Sequence, residues 1–406
     1  MNFKILKKSK TSRARLGFLE TEHGVVETPC LVPVATQAVV KTLDSKEAEE
    51  TKSQILIANT FHLHLKPGEK IVEKSGKLHN FMNWKKPLMT DSGGYQVFSL
   101  GFGTDFGLPS KILRSKISEG EGSKKIIEGQ QPQKIKINYD GVTFRSPING
   151  DELFLGPKES IKIQEKLGAD IIFAFDECTA PLADFNYVKK SLEKTHRWAK
   201  ICLQAKKSKS ASGKGFGGTK QALYGIVQGS RFKDLRIESA KFISGLDFDG
   251  FGIGGEFGND KKTMSQMIGW VVDELPEKKP RHLLGVGYLE DMESIIKAGA
   301  DTFDCTVPTH YARRGIAFIH PPKFSSGKFR WAKGKLNLKK SLYLKKNEPL
   351  DPECVCPVCL NYKKDYICHL LRAGEITGMK LLTSHNLWYF NTFVEDIRGR
   401  IKRNEI

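Results

Sequence analysis

Four short apolar runs in this chain close on a side chain able to do chemistry: Pro87-Leu-Met-Thr-Asp91, Ile171-Ile-Phe-Ala-Phe-Asp176, Leu223-Tyr-Gly-Ile-Val-Gln228 and Thr302-Phe-Asp304. Runs this short, separated by helical patterns, read as buried parallel strands. Further runs extend the series, placing strands near 30–35, 55–59, 87–91, 171–176, 223–228, 250–254, 282–286 and 302–306. Eight strands alternating with helices predict an α/β fold, a (β/α)8 barrel rather than an open sheet. One connecting helix shows in Val188, Leu192, Thr195, Ala199 and Cys202, which recur at steps of four and three. Another is predicted from Pro157 to Gly168, with proline in its first turn and glycine past its last. Strand ends of such barrels carry the active site, so three carboxylates and an amide at four of them predict a polar one.

The alternation breaks between the third and fourth strands. A Lys/Gly/Ser/Gln-rich stretch near 107–137 reads as a loop insertion, and a hairpin follows in which GVTFRSPI and DELFL flank Asn149-Gly150. A second polar stretch starts at Lys206, and a third, Lys-rich, runs over 323–346. No internal repeat is visible.

Composition narrows the partners. The 406 residues are 39% hydrophobic, enough for one large α/β domain with a smaller appendage, and 65 basic against 46 acidic side chains leave a net charge of +19. Such a surplus attracts polyanions and makes nucleic acid the leading partner; a lysine-rich solvated surface is the bland reading. The basic N-terminus lacks the apolar core of a signal peptide, and no run approaches the ~20 residues of a membrane span. We expect a soluble cytoplasmic protein with no membrane partner.

Of eight cysteines, three crowd into Cys354-x-Cys356-x2-Cys359. In a large chain without an export signal this spacing suits zinc, which takes soft ligands in a tetrahedral set and here needs one more. His385 is a candidate, following Ser384 as a helix N-cap and opening a stripe of Leu387, Phe390, Val394, Ile397 and Ile401; Cys368 and His369 compete for the same role.

The motifs together resemble the bacterial type of tRNA-guanine transglycosylase, the queuine tRNA-ribosyltransferases. They are Asp91-Ser-Gly-Gly-Tyr95-Gln-Val, Asp176-Glu-Cys178-Thr, Tyr224-Gly-Ile-Val-Gln228-Gly, Ile253-Gly-Gly255, Leu284-Gly285-Val-Gly and Phe303-Asp304-Cys-Thr-Val-Pro308-Thr, followed by the cysteine cluster with His385. They keep the family's order over roughly residues 10 to 400.

The resemblance implies an irregular (β/α)8 TIM barrel over 1–315, a Lys-rich stretch and zinc subdomain over 316–385, and a C-terminal helix over 386–406 packing back on the barrel. It also implies one structural Zn2+ per chain on Cys354, Cys356, Cys359 and His385, and a homodimer. The implied reaction exchanges guanine at the wobble position of GUN-anticodon tRNAs for a free 7-deazaguanine base, usually 7-aminomethyl-7-deazaguanine. By matching motifs, Asp304 is the nucleophile and Asp91 the general acid/base. Asp176 takes the N–H edge of the base, Gln228 and the Gly255 N–H read its carbonyl edge, Ser92 helps hold it, and Tyr95 stacks opposite Leu284 and Gly285.

Two departures bear on specificity. After the paired glycines the run is Glu256-Phe257-Gly258-Asn259-Asp260, with Gly258 where bacterial members carry valine, so a larger base such as queuine is the alternative substrate. Cys178 keeps the bacterial choice. Asp260 aligns with the family glutamate that meets the aminomethyl cation, and Glu256 is a second candidate. His310 stands where an anticodon-binding arginine is common; Arg313 keeps its place, and Arg314 or the Lys-rich stretch could make up the lost contact. A non-catalytic tRNA-binding subunit would be expected to lose catalytic side chains, yet Asp91, Asp176, Gln228 and Asp304 are all present. An ordinary barrel glycosidase would leave the cationic surplus and the metal cluster unexplained.

Overall fold

The computed structural model describes residues 1–98, 135–180, 183–207, 221–258, 260–320 and 334–406. The predicted insertion at 107–137 lies outside the described residues up to 134, as do positions 208–220 of the second polar stretch and 321–333 around the third.

Eight parallel strands form the central sheet: β1 (Cys30–Pro33), β2 (Leu56–Ala58), β3 (Leu88–Thr90), β4 (Ile171–Phe173), β5 (Ala222–Val227), β6 (Gly250–Ile253), β7 (Arg281–Leu283) and β8 (Thr302–Cys305). Neighbours run β1-β8-β7-β6-β5-β4-β3-β2, and a parallel bridge between Val34 and Ile57 brings the order back on itself. This is the ring of a (β/α)8 barrel. The runs are strands because both faces are covered: all six residues of β5 and all four of β6 are buried.

The chain gathers into two compact units, one of Met1, Asn59–Phe81 and Leu88–His282, the other of Asn2–Ala58, Met82–Pro87 and Leu283–Ile406. In the first, helix α1 (Thr60–Leu65) follows Asn59, and α2 (Pro157–Leu167) runs from proline to the closing Gly168, as its sequence predicts. The buried Gln164 of α2 is a strut. Its amide donates to the Phe173 carbonyl (2.8 Å), while its oxygen accepts from the Phe173 N–H (3.0 Å) and the Thr90 hydroxyl (3.1 Å). Helix α3 (Phe185–Lys207) buries the whole predicted stripe from Val188 to Cys202. Helices α4 (Lys233–Ser244) and α5 (Lys261–Val272) complete the set used below. The hairpin forms between Val142–Arg145 and Glu152–Leu155, but its loop is longer than a two-residue turn, because the Ser146 N–H already bonds the Asp151 carbonyl (2.8 Å).

In the second unit, Arg15 on a small antiparallel sheet donates to the Asp301 carboxylate through Nε (2.7 Å) and Nη2 (2.6 Å), a buried bidentate pair beside the start of β8. Helix α6 (Met292–Lys297) precedes β8, α7 (Val307–Arg313) follows it, and α8 (Ile376–Lys402) closes the chain. Here the structure corrects an expectation. Ser384 does not cap a helix: α8 begins at Ile376, and Ser384 and His385 lie within it. The apolar stripe reaches back through Leu382 and Leu381, both buried, so packing carries the helix through the Thr383-Ser384 pair.

Candidate functional site

Asp91, Asp176 and Gln228 of the first unit each stand just beyond a strand end. Asp91 follows β3 and is half-buried. Its Oδ1 accepts from the N–H groups of Thr60 (2.9 Å) and Gly93 (3.2 Å), its Oδ2 accepts from Asn59 Nδ2 (2.5 Å), and its carbonyl accepts from the Thr60 hydroxyl (2.5 Å). Asn59 works in both directions, since its side-chain oxygen also caps α1 by accepting from the His62 N–H (2.9 Å). The carboxylate is therefore fixed in orientation, as a general acid/base requires.

Asp176 lies beyond β4 and is only 5% exposed. The Ser92 hydroxyl donates to its Oδ1 (3.0 Å) and the Gln228 amide to its Oδ2 (2.6 Å). Burial raises its pKa to about 6 against the lowering effect of those two bonds, and the neighbouring Glu177 carboxylate adds to the rise. The bonds do not fill a carboxylate's acceptor capacity. Gln228 is itself held through its N–H by the Ser239 hydroxyl (3.2 Å), and its Oε1 is buried with no hydrogen-bond partner among the described residues. Gly255 sits at φ +90°, and a Cβ there would come within 2.8 Å of Gln228 Oε1, so only glycine lets the backbone run this close to the amide. Tyr95, in the helical turn at 94–98, is 48% exposed.

In the second unit, Asp304 is half-buried in β8, and its Oδ1 accepts from the Gly285 N–H (2.9 Å) in the segment that follows β7. The Cys305 thiol donates to the Gly287 carbonyl (3.0 Å), a second tie between the same two segments. Leu284 is partly buried and Gly285 exposed.

The same unit holds the candidate metal cluster. The sulfurs of Cys354, Cys356 and Cys359 lie 3.9, 3.3 and 3.3 Å from His385 Nδ1, and all four residues are buried. Zinc bond lengths of ~2.3 Å to sulfur and ~2.0–2.1 Å to nitrogen give tetrahedral S···N edges of about 3.6 Å, which these distances straddle. The other ring nitrogen, Nε2, donates to the Phe318 carbonyl (2.6 Å), leaving Nδ1 with the lone pair a metal needs. Bonds from Cys354 and Cys359 pull the Cys356 thiol far below its usual range against the effect of burial. The donor set fits zinc. Of the competing ligands, Cys368 points elsewhere, donating to the Lys340 carbonyl (3.5 Å), and His369 lies outside the cluster.

A family model described as queuine tRNA-ribosyltransferase matches residues 9–406. This chain belongs to the queuine tRNA-ribosyltransferase family. It is 40% identical to the queuine tRNA-ribosyltransferase of Halothermothrix orenii and 41% identical to that of Caldanaerobacter subterraneus, in both cases over 100% of this chain and 95% of the relative. Membership makes it an enzyme of the tRNA-guanine transglycosylase class, a pentosyltransferase. Among the described residues no helix is long and apolar enough to cross a membrane.

Against the family pattern, the loop after β6 takes on a defined shape. Asp260 caps α5: its Oδ1 accepts from the N–H groups of Lys262 and Thr263 (both 2.9 Å) and its Oδ2 from the Thr263 hydroxyl (2.6 Å), bonds that lower its pKa. Gly258 sits at φ +74°, and a Cβ there would press to 2.8 Å from the Thr263 methyl, so the backbone alone calls for glycine. Glu256 turns Oε1 to the Phe257 N–H (3.2 Å). On α7, His310 meets Tyr311 edge to face at 6.0 Å, Arg313 donates to the Thr309 carbonyl (2.9 Å), and the adjoining Arg314 is exposed.

Sequence reasoning missed Asn59, Thr60 and Arg236. The first two had a signal, since Asn59 ends the second apolar run as Asp91 ends the third.

Proposed function

We propose that the enzyme replaces guanine at the wobble position of GUN-anticodon tRNAs with 7-aminomethyl-7-deazaguanine. The observation that carries this reading is the buried Asp176 carboxylate set between Ser92 and Gln228, an acceptor flanked by an amide and suited to the N–H edge of a guanine-like base.

Base exchange with retention at C1′ takes two displacements. In the first, an oxygen of Asp304 attacks C1′ as the bond to guanine N9 breaks, and Asp91 supplies the proton the departing base takes up. In the second, Asp91 recovers a proton from the incoming base, whose N9 attacks C1′ and expels the Asp304 carboxylate. Tyr95 stacks on the base opposite Leu284 and Gly285, and Gln228 with the Gly255 N–H receives its carbonyl edge. His310, Arg313 and Arg314 contact the anticodon arm, where the chain's net charge of +19 favours phosphate. One structural Zn2+ on Cys354, Cys356, Cys359 and His385 would clip the cysteine loop to α8, apart from the chemistry. The working form is a cytoplasmic homodimer.

Queuine as the incoming base rested on Gly258, and the left-handed backbone beside Thr263 accounts for that glycine without reference to substrate. With the Asp260 carboxylate committed to the cap of α5, Glu256 is the better match for the aminomethyl cation. The test is mass spectrometry of the anticodon fragment after incubating unmodified GUN-anticodon tRNA with the enzyme and equal amounts of the two bases. The expected mass shift is that of the aminomethyl base. A queuine-sized shift would overturn the substrate choice, and no shift would overturn the exchange.

A further inference from the structure

Arg236 of α4 is fully buried, yet among the described residues no carboxylate accepts a hydrogen bond from it. Its guanidinium donates to three backbone carbonyls: Ser230 through Nε (2.5 Å), Gly254 through Nη1 (3.1 Å) and Glu256 through Nη2. The carbon of the guanidinium also lies 4.8 Å from the centre of the Phe257 ring. Burial lowers its pKa to about 10, which leaves the fork charged at neutral pH.

These carbonyls belong to two loops. Ser230 lies two residues beyond Gln228 and sits at φ +49°, a left-handed conformation that is strained for a residue other than glycine. Gly254 and Glu256 flank Gly255. In a trans peptide the carbonyl and the following N–H point in opposite directions. The grip on the Gly254 carbonyl therefore turns the Gly255 N–H away from Arg236. The Gln228 amide runs along the same stretch: Cβ atoms on Gly254 and Gly255 would each lie 2.8 Å from its nitrogen and oxygen respectively.

We propose that Arg236 is a positioning residue for base recognition, a buried fork that joins the Gln228–Ser230 and Gly254–Glu256 loops and presents the Gly255 N–H to the carbonyl edge of the base. This rests on the reading above, in which those groups receive a guanine-like base. Arg236 acts through the loops and touches no substrate. A buried charge normally has a carboxylate partner; the Glu256 carboxylate offsets part of the effect of burial, but the hydrogen bonds of the fork all go to carbonyls, and it is these that fix backbone direction.

The test uses the full-length enzyme and incorporation of labelled guanine into unmodified tRNA, inhibited by 7-deazaguanine or by 2-amino-7-deazapurine, which lacks the carbonyl oxygen and the N1 hydrogen, the second loss being common to wild type and variant. Wild type should prefer 7-deazaguanine strongly. Arg236→Lys keeps a cation but not the planar fork, and should lower that preference at least about tenfold with the KM for tRNA changed less than about twofold. A general loss of structure would move both constants and spare the ratio. Arg236→Gln, neutral and smaller, provides the same comparison should the lysine variant fail to fold. An unchanged preference in a folded variant overturns the inference alone. Failure of the wild type to incorporate guanine overturns the functional reading and the inference with it.

Discussion

In the proposed role an ionised Asp176 accepts from the N–H edge of a base at full strength, whereas its protonated form sets an O–H against that edge and binds weakly. Burial raises its pKa to about 6, about two units above an exposed aspartate. The folded protein thus holds a proton there more tightly than the unfolded chain does. Stability from this group is fullest below the ordinary carboxylate range and is lost as pH rises through 6, while base affinity runs the other way. The KM for guanine should be flat above pH 6 and rise about tenfold per unit below it. Asp176→Asn should bind guanine weakly with no inflection near 6; a wild-type KM independent of pH between 5 and 7 would contradict the assignment. Both Asp176 and Gln228 were legible, because each ends an apolar run. Their mutual bond was not, nor was the bond from Ser92, 84 positions away, since pattern reveals where a strand stops but not which strand end it faces. Arg236 left no signal at all: within α4 it looks like any solvated arginine, and only the tertiary fold buries it.

Elements were easier to read than contacts. All eight barrel strands stand where buried apolar runs predict them, because strands covered on both faces leave an uninterrupted mark in the sequence. Local chemistry misled where packing prevailed, as at Ser384, a good cap by type that the continuing apolar stripe holds inside α8. Asp260 shows the reverse: the family pattern offers it as a base contact, yet its side chain does what an aspartate ahead of Lys261–Val272 does locally, and caps the helix. The three cysteines of the candidate metal cluster were visible through spacing, with His385 singled out by the resemblance, and the structure gathers the four residues. Cys356→Ala should drop the zinc content to near zero and lower the Tm by at least about 5 °C, with the C-terminal helix becoming sensitive to protease. Unchanged metal and Tm would rule out the zinc clip.

At the scale of the whole molecule, the +19 charge supplies attraction for a polyanion but no chemistry. Binding of tRNA and reaction on it are thus separable, and the decisive variant removes one without the other. Asp304→Asn exchanges a carboxylate oxygen for an amide of the same shape, leaving an oxygen to accept from the Gly285 N–H, so the loop after β7 should keep its place. The proposed mechanism turns on a covalent bond between Asp304 and the ribose. It is tested most directly by mixing enzyme with unmodified GUN-anticodon tRNA, denaturing the mixture during turnover, and measuring the protein by denaturing electrophoresis and intact mass. Wild type should carry tRNA bonded to the peptide containing Asp304, while Asp304→Asn binds tRNA with affinity within about threefold and yields no adduct. An adduct on another residue, or normal base exchange by Asp304→Asn, would rule out Asp304 as the nucleophile.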